Sequence, residues 1–316
     1  MRLKYPFAPT LFAVLLLLIS CKEEAAKKEP KQYLLYNVLV DEQNDNYEIF
    51  RMNLDGSDKK NISNHKAVDW AYYTSGEKIY FLSDRDTTYR KYLLYEMDCN
   101  GENVRRITDF FLHDSWFASR KNESEFVVTS YLDGEKNELY LIDNNGKVLK
   151  RLTDNNIYEN DPVFSPEGDK IVFRSKESGI DELWIMDSDG SNRLQLTNYP
   201  PDDSSIPQHG YHAGPPSWEP NHNFISYPSK QNGNYSIFAI DPDGENLRQI
   251  TPDSTEEIYH SWSYDGKYLA YDGNDETGNY DIFLMDFASK NVTQLTKDSL
   301  YEGGPVFLTL YESEQN

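Results

Sequence analysis

The chain has 316 residues, of which 27% are charged, and 53 Asp and Glu against 31 Lys and Arg leave a net charge of −22. A field of that sign repels phosphate backbones and anionic headgroups, so nucleic acid is not an expected partner. The two cysteines, Cys21 and Cys99, are too few for a disulfide scaffold.

Residues 1–20 read as a targeting leader. Arg2 and Lys4 make a basic start, and "LFAVLLLLIS" is apolar but short for a bilayer span. Leu18-Ile19-Ser20-Cys21 resembles a bacterial lipobox, which implies cleavage before Cys21 and lipid attachment to it. Two or three acyl chains, at roughly 0.8 kcal/mol per buried methylene, would hold the chain on a membrane without spanning it. Residues 21–32 form a charged tether, and losing Arg2 and Lys4 takes the net charge to −24. Glu23-Glu24 resembles signals that send some Gram-negative lipoproteins to the cell surface. The expected place is the bacterial envelope, at the outer membrane, on its periplasmic side or at the surface.

From residue 33 to residue 310 the chain is repetitive. "EIFRMNLDGSDKKNIS" at 48 returns as "LLYEMDCNGENVRRIT" at 93, "ELYLIDNNGKVLKRLT" at 138, "ELWIMDSDGSNRLQLT" at 182, "SIFAIDPDGENLRQIT" at 236 and "DIFLMDFASKNVTQLT" at 281. Intervals of 45, 45, 44, 54 and 45 residues with strand-length apolar runs indicate propeller blades or a solenoid. Consecutive apolar residues, as in "ELYLID", fit sheets covered on both faces. Each period adds an aromatic segment ("VDWAYY", "DSWFAS", "PVFSPEG", "PSWEP", "HSWSYDG") and another apolar run ("KIYFLS", "EFVVTS", "KIVFRS", "FISYPS", "YLAYDG"). Four antiparallel strands per period follow, named A to D, with Asp, Asn and Gly in the turns. "YLLYNV" at 33 resembles a strand B without its A, and "PVFLTL" at 305 an A without its B. Pairing them closes a ring, so the expected fold is an all-β, six-bladed β-propeller sealed by the C-terminal strand, with residues 311–316 as a tail.

"PVFSPEGDKIVFRS" followed by "ELWIMDSDGSNRLQLT" resembles the repeat of the TolB propeller domain and its WD40-like (PD40) relatives. The resemblance implies a propeller that binds an envelope partner, as TolB binds a peptidoglycan-associated lipoprotein. About a dozen residues between Cys21 and the first strand leave no room there for TolB's N-terminal domain. Prolyl oligopeptidase-type relatives of the repeat carry a hydrolase domain, but no G-x-S-x-G stretch occurs.

A binding site is expected where the D-to-A and B-to-C loops meet on one face. The fourth D-to-A connection, Thr197 to Trp218, is ten residues longer than its neighbours and contains His209 and His212. Aligning strand A places His113, Asp114, Asp161, Tyr259 and His260 near the same channel mouth. These seven residues are the candidate ligand site. Taken singly, each is better explained as an exposed loop histidine or a strand-entry cap. Oligogalacturonate lyases, also TolB-like propellers, hold manganese with histidines and a glutamine, a set that Gln208, His209 and His212 match in type but not clearly in spacing. A polyanionic pectic fragment also suits a −24 protein poorly, since only Arg85, Arg90 and Lys91 stand on the predicted loops. The four-residue "DSDG" and "DPDG" turns are too short for calcium loops, and Cys99 lies in one such turn. The expectation is a monomeric, non-enzymatic binding module for a protein, peptide or glycan, without a cofactor. The alternative is a metal-assisted carbohydrate enzyme using His209 and His212.

Overall fold

The computed structural model describes residues 29–132, 134, 136–199, 212–231, 234–252, 256–274 and 278–311. Cys21, Gln208 and His209 lie outside them. Among the described residues the strands form six four-stranded antiparallel sheets, the blades of a β-propeller. The first blade joins β1 (Lys31–Asp41), β2 (Asn46–Asn53) and β3 (Lys60–Asn61) to the last strand, β24 (Glu302–Leu310), in the order β24-β1-β2-β3. The second holds β4 (Asp69–Ser75), β5 (Lys78–Ser83), β6 (Leu93–Asp98) and β7 (Arg105–Arg106). The third holds β8 (Ala118–Arg120), β9 (Glu125–Ser130), β10 (Glu138–Asp143) and β11 (Val148–Arg151). The fourth holds β12 (Glu159–Phe164), β13 (Lys170–Ser175), β14 (Glu182–Asp187) and β15 (Leu194–Gln195). In the fifth are β16 (Ser217–Trp218), β17 (Ile225–Ser229), β18 (Ser236–Ile240) and β19 (Arg248–Gln249), and in the sixth β20 (Glu257–Trp262), β21 (Tyr268–Asn274), β22 (Tyr280–Asp286) and β23 (Val292–Gln294).

Strands B and C are buried almost without interruption, as in β9, β10 and β13, because neighbouring blades cover both faces of each sheet. The short outer D strands are largely exposed.

The hydroxyl residue that ends each repeat has a structural task. In every blade it accepts the N–H of the second residue of the repeat: Ser63 from Ile49, Thr108 from Leu94, Thr153 from Leu139, Thr197 from Leu183, Thr251 from Ile237 and Thr296 from Ile282, at 2.8–3.0 Å. Where the repeat opens with an acid, the same hydroxyl donates to it, namely Glu48, Glu138, Glu182 and Asp281. In the fifth copy Ser236 stands in that place, and Glu257 of the next blade accepts instead. Inner C and outer D strands are thereby latched by a buried bond that also satisfies a strand N–H.

The turn glycines set the spacing between blades. Gly56, Gly101, Gly146, Gly190 and Gly244 close C-to-D turns at φ of +78° to +87°. A β-carbon on Gly101 would stand 1.8 Å from the carbonyl oxygen of Ile62 in the preceding blade, and one on Gly146 2.2 Å from that of Ile107. Gly56 of the first blade meets Leu295 of the sixth in the same way, at 3.0 Å. The sixth copy has no glycine there, and Lys290 Nζ instead donates to the Ile250 carbonyl at 3.4 Å.

The ring closes where β24 pairs with β1, from Lys31 opposite Leu310 to Val38 opposite Glu302, with an irregularity between Leu35 and Asn37. Fully buried Asn37 spans it. Its Nδ2 donates to the carbonyls of Gly303 and Gly304 at 3.3 and 3.2 Å, and its Oδ1 accepts the N–H of Ala71 in the second blade at 2.8 Å. Gly304 has φ +61°, and a β-carbon there would stand 2.8 Å from Asn37 Nδ2.

Gly101→Ala combines left-handed strain with a backbone clash and should lose about 2–4 kcal/mol in denaturant unfolding. Gly278→Ala, at φ +83° but with nothing within 4 Å of the new carbon, should lose about 1–2 kcal/mol. Equal losses would show that blade contact is not what the turn glycines serve.

Candidate functional site

The inner strands surround a cavity of about 500 Å³ on the propeller axis. Its wall comes from the later half of each strand A and reaches the A-to-B turns at Gly76, Pro166, Pro220 and Tyr264. It therefore opens at the A-to-B end, opposite the loops where the sequence pattern places a site. Trp116, Trp218, Trp262 and several Ser and Thr residues line it, with no Asp, Glu, Lys or Arg among the described lining residues. Exposed Tyr264 and Tyr311 stand edge to face at the rim, 6.1 Å between centroids.

Aromatic rings close the other end. Trp116 of the third blade and Tyr259 of the sixth, on opposite sides of the ring, lie 6.2 Å apart. Trp70 and Tyr72 of the second blade join them, at 6.2 Å from Tyr259 and 5.1 Å from Trp116. Such edge and tilted contacts are preferred aromatic geometries, so the plug is self-supporting.

The structure brings four of the seven nominated residues together. Tyr72 donates to Asp114, which also lies 3.6 Å from Arg90. Asp161, next to the plug, accepts from Trp116 N–H at 2.9 Å and Ser115 Oγ at 3.1 Å, and pairs with Arg174. Its φ of +53° places it in the left-handed region, at the irregularity in the β12–β13 ladder. His113, half-buried beside Asp161 and Asp114, has its pKa lowered because burial outweighs those two charges. Tyr259 belongs to the plug itself. His212 stands apart and stacks on Tyr199 at 5.3 Å between centroids. His260 instead lines the cavity, where its Nε2 meets Ser226 Oγ at 2.7 Å and burial lowers its pKa to about 3.

Of the basic loop residues, Arg85 is tied to Asp69 and Arg90 to Asp45, each at 2.7 Å, while exposed Lys91 donates to Tyr131 OH at 3.4 Å. Among the described residues no group of three or more His, Cys, Asp or Glu is placed to hold a metal ion. Cys99 is a free, partly buried thiol whose pKa burial raises.

The cavity wall is the feature missed in the sequence. Its tryptophans are visible at repeated positions and read as packing between blades; that they also border an axial space has no signature in a linear pattern.

Two buried carboxyls sit at the closure. Asp272 on β21 accepts N–H groups from Ile258, Tyr259 and Gly304 at 3.2, 2.8 and 2.9 Å, and burial raises its pKa to about 7 against those bonds. Glu302 on β24 is also raised to about 7, by burial first and the charge of Asp298 after it, against the hydroxyl of Thr296.

No family model matches the chain. TolB of the Tol-Pal system from Anaeromyxobacter dehalogenans strain 2CP-C is 26% identical over 161 residues, 49% of this chain and 36% of that protein. The corresponding protein of Anaeromyxobacter sp. strain K is 25% identical over the same length. The match thus spans about a third of these relatives. Among solved structures, TolB from Acinetobacter baumannii superposes with a TM-score of 0.71 at 17% identity, over 87% of this chain and 66% of that one. Hydrazine synthase from Kuenenia stuttgartiensis gives 0.66 at 14% identity, over 90% and 47%. The chain is a TolB-like six-bladed propeller, and a fold shared with an enzyme so different does not by itself assign an activity.

Linkage gives the closure a pH dependence. A carboxyl raised to about 7 when folded contributes stability that is complete below its unfolded pKa near 4.5 and is lost as pH rises through about 7. His260, lowered to about 3, works oppositely below about 6.5. Thermal unfolding between pH 5 and 8 should therefore show a smaller fall in midpoint with rising pH for Glu302→Gln than for the unaltered chain, the His260 contribution cancelling in the comparison. Parallel pH profiles would contradict the assignment.

Proposed function

We propose that this protein is a non-enzymatic binding module of the bacterial cell envelope that receives its partner at the axial cavity. The observation that carries this is the cavity's form: plugged by rings at one end, open at the other, and lined by aromatic, aliphatic and hydroxyl groups, with no Asp, Glu, Lys or Arg among the described lining residues. Hydrolytic or elimination chemistry needs a positioned acid and base or a metal. The volume lies within the roughly 300–1,000 Å³ range of ligand sites. The likeness to proteins of the Tol-Pal system supports an envelope role and a partner of the envelope.

Lipid attachment at Cys21 belongs to the same reading. Tyr264 OH donates to Glu29 at 3.1 Å, and Lys31 pairs with Leu310, so the chain leaves the propeller beside the cavity mouth. Eight residues from Cys21 to Glu29 reach at most about 28 Å when extended. An anchored propeller would then hold its cavity toward the membrane that carries it.

The test uses the lipid-free full-length mature chain, immobilised and exposed to solubilised envelopes. Retention of a component should fall at least tenfold with Thr309→Trp, which fills the cavity, and stay unchanged with Leu149→Ala on the outer edge. Retention indifferent to Thr309→Trp would overturn the cavity reading. In cells, Cys21→Ser should move the protein from the membrane fraction to the soluble one; an unchanged distribution would remove the lipid anchor.

A further inference from the structure

We infer that the cleft between the fourth and fifth blades receives a lysine or arginine side chain from a basic segment of a partner protein. This surface is separate from the axial cavity and does not depend on the reading of that cavity.

The seam between these blades is built differently from its neighbours. It holds a cleft of about 410 Å³ on the side of the A-to-B and C-to-D turns. A β-carbon on Gly56, Gly101, Gly146 or Gly190 would stand 1.8–3.0 Å from a carbonyl oxygen of the preceding blade, whereas one on Gly244 stands 3.4 Å from that of Leu196. In the two preceding seams a cation crosses. Arg105 of the second blade donates to the Asn144 carbonyl of the third at 3.1 Å, and Lys150 of the third to the Asp189 carbonyl of the fourth at 2.6 Å. Both stand three residues before the latch threonine of their repeat, a place that Leu194 takes in the fourth blade, 49% exposed. The Pro242 and Asp243 carbonyls of the next turn accept no bond from the described residues.

The missing bridge leaves a place suited to a cation on an apolar stem. Ile185, Leu194 and Trp218 line the cleft with surface for methylenes, and exposed Glu167 and Asp169 bring carboxylates to the same lining. Asp169 Oδ1 accepts the Ser165 hydroxyl at 2.8 Å, and neither acid has a cation partner among the described residues. Lys170, the basic residue of that lining, is paired with Asp187 at 2.5 Å. The cleft thus carries excess negative charge in a protein of net charge −22, which attracts a cation and repels an anion. Among the described residues no group of three acids, histidines or cysteines is placed to hold a metal ion. A lysine or arginine side chain meets both features, its stem against the apolar wall and its charged head bonded to carboxylate and turn carbonyl.

The experiment is fluorescence anisotropy of labelled hexalysine and hexaarginine titrated with the full-length mature chain at physiological ionic strength. At least one peptide should bind, and Glu167→Gln combined with Asp169→Asn should weaken it at least tenfold. Glu77→Gln combined with Glu102→Gln removes the same charge from other exposed turns and should leave binding within twofold. Leu194→Lys, which supplies the missing bridge from the chain itself, should also weaken binding at least tenfold. Leu149→Lys, the same charge change at an exposed position of the third blade, should not. Failure of both peptides to bind, equal losses in the cleft variants and their controls, or indifference to Leu194→Lys would overturn the inference. Thr309→Trp, which fills the axial cavity, should leave peptide binding unchanged; a tenfold loss there would move the peptide to the axial cavity and overturn the cleft as its site.

Discussion

The fold depends on one antiparallel pairing, β24 against β1. Six sheets that each cover the next leave no apolar face open only when the last meets the first, and one chain must contribute both ends of a single blade. Here that blade is reinforced from both sides. Asn37 reaches from the clasp to Ala71 of the second blade, and Asp272 of the sixth blade accepts Gly304 N–H from the clasp strand. The glycine at 304 is required by crowding as well as by φ, since Asn37 and Trp70 occupy the space a side chain would take. Removing β24 from its place would expose one edge of β1 and take away the strand that packs against β4 of the second blade and β20 to β22 of the sixth.

Around this closure the molecule repeats local devices and departs from them where a site can form. The hydroxyl latch occurs in all six blades, and the turn glycine in five. The inner strands are less uniform: β4 presents Trp70 and Tyr72, the third blade Trp116, the sixth Tyr259, and these unequal rings meet on the axis. Symmetry thus supplies the scaffold, while its breaking converts an axial channel into a cavity with one mouth.

Much of this was legible beforehand. The period, the strand runs and the complementary end fragments required a six-bladed ring, and the structure has one. The nomination of His113, Asp114, Asp161 and Tyr259 to one neighbourhood followed from aligning strand A, since residues at equal depth in successive blades must approach the axis together. The same alignment put His260 one residue beyond Tyr259 without revealing that the alternation of a strand turns its ring toward Ser226. His212 joined the candidates because it lies in the long fourth D-to-A connection, and the structure stacks it on Tyr199.

Spacing and residue type specify whatever is local or periodic: strands, turns, latches, the number of blades and their closure. The openness of the axis, the end on which it opens and the neutrality of its wall follow from where side chains of different blades finish when six sheets converge. Those distances join residues far apart in the chain, such as Trp116 and Tyr259, and no period encodes them, because they depend on the size and tilt of every ring at once.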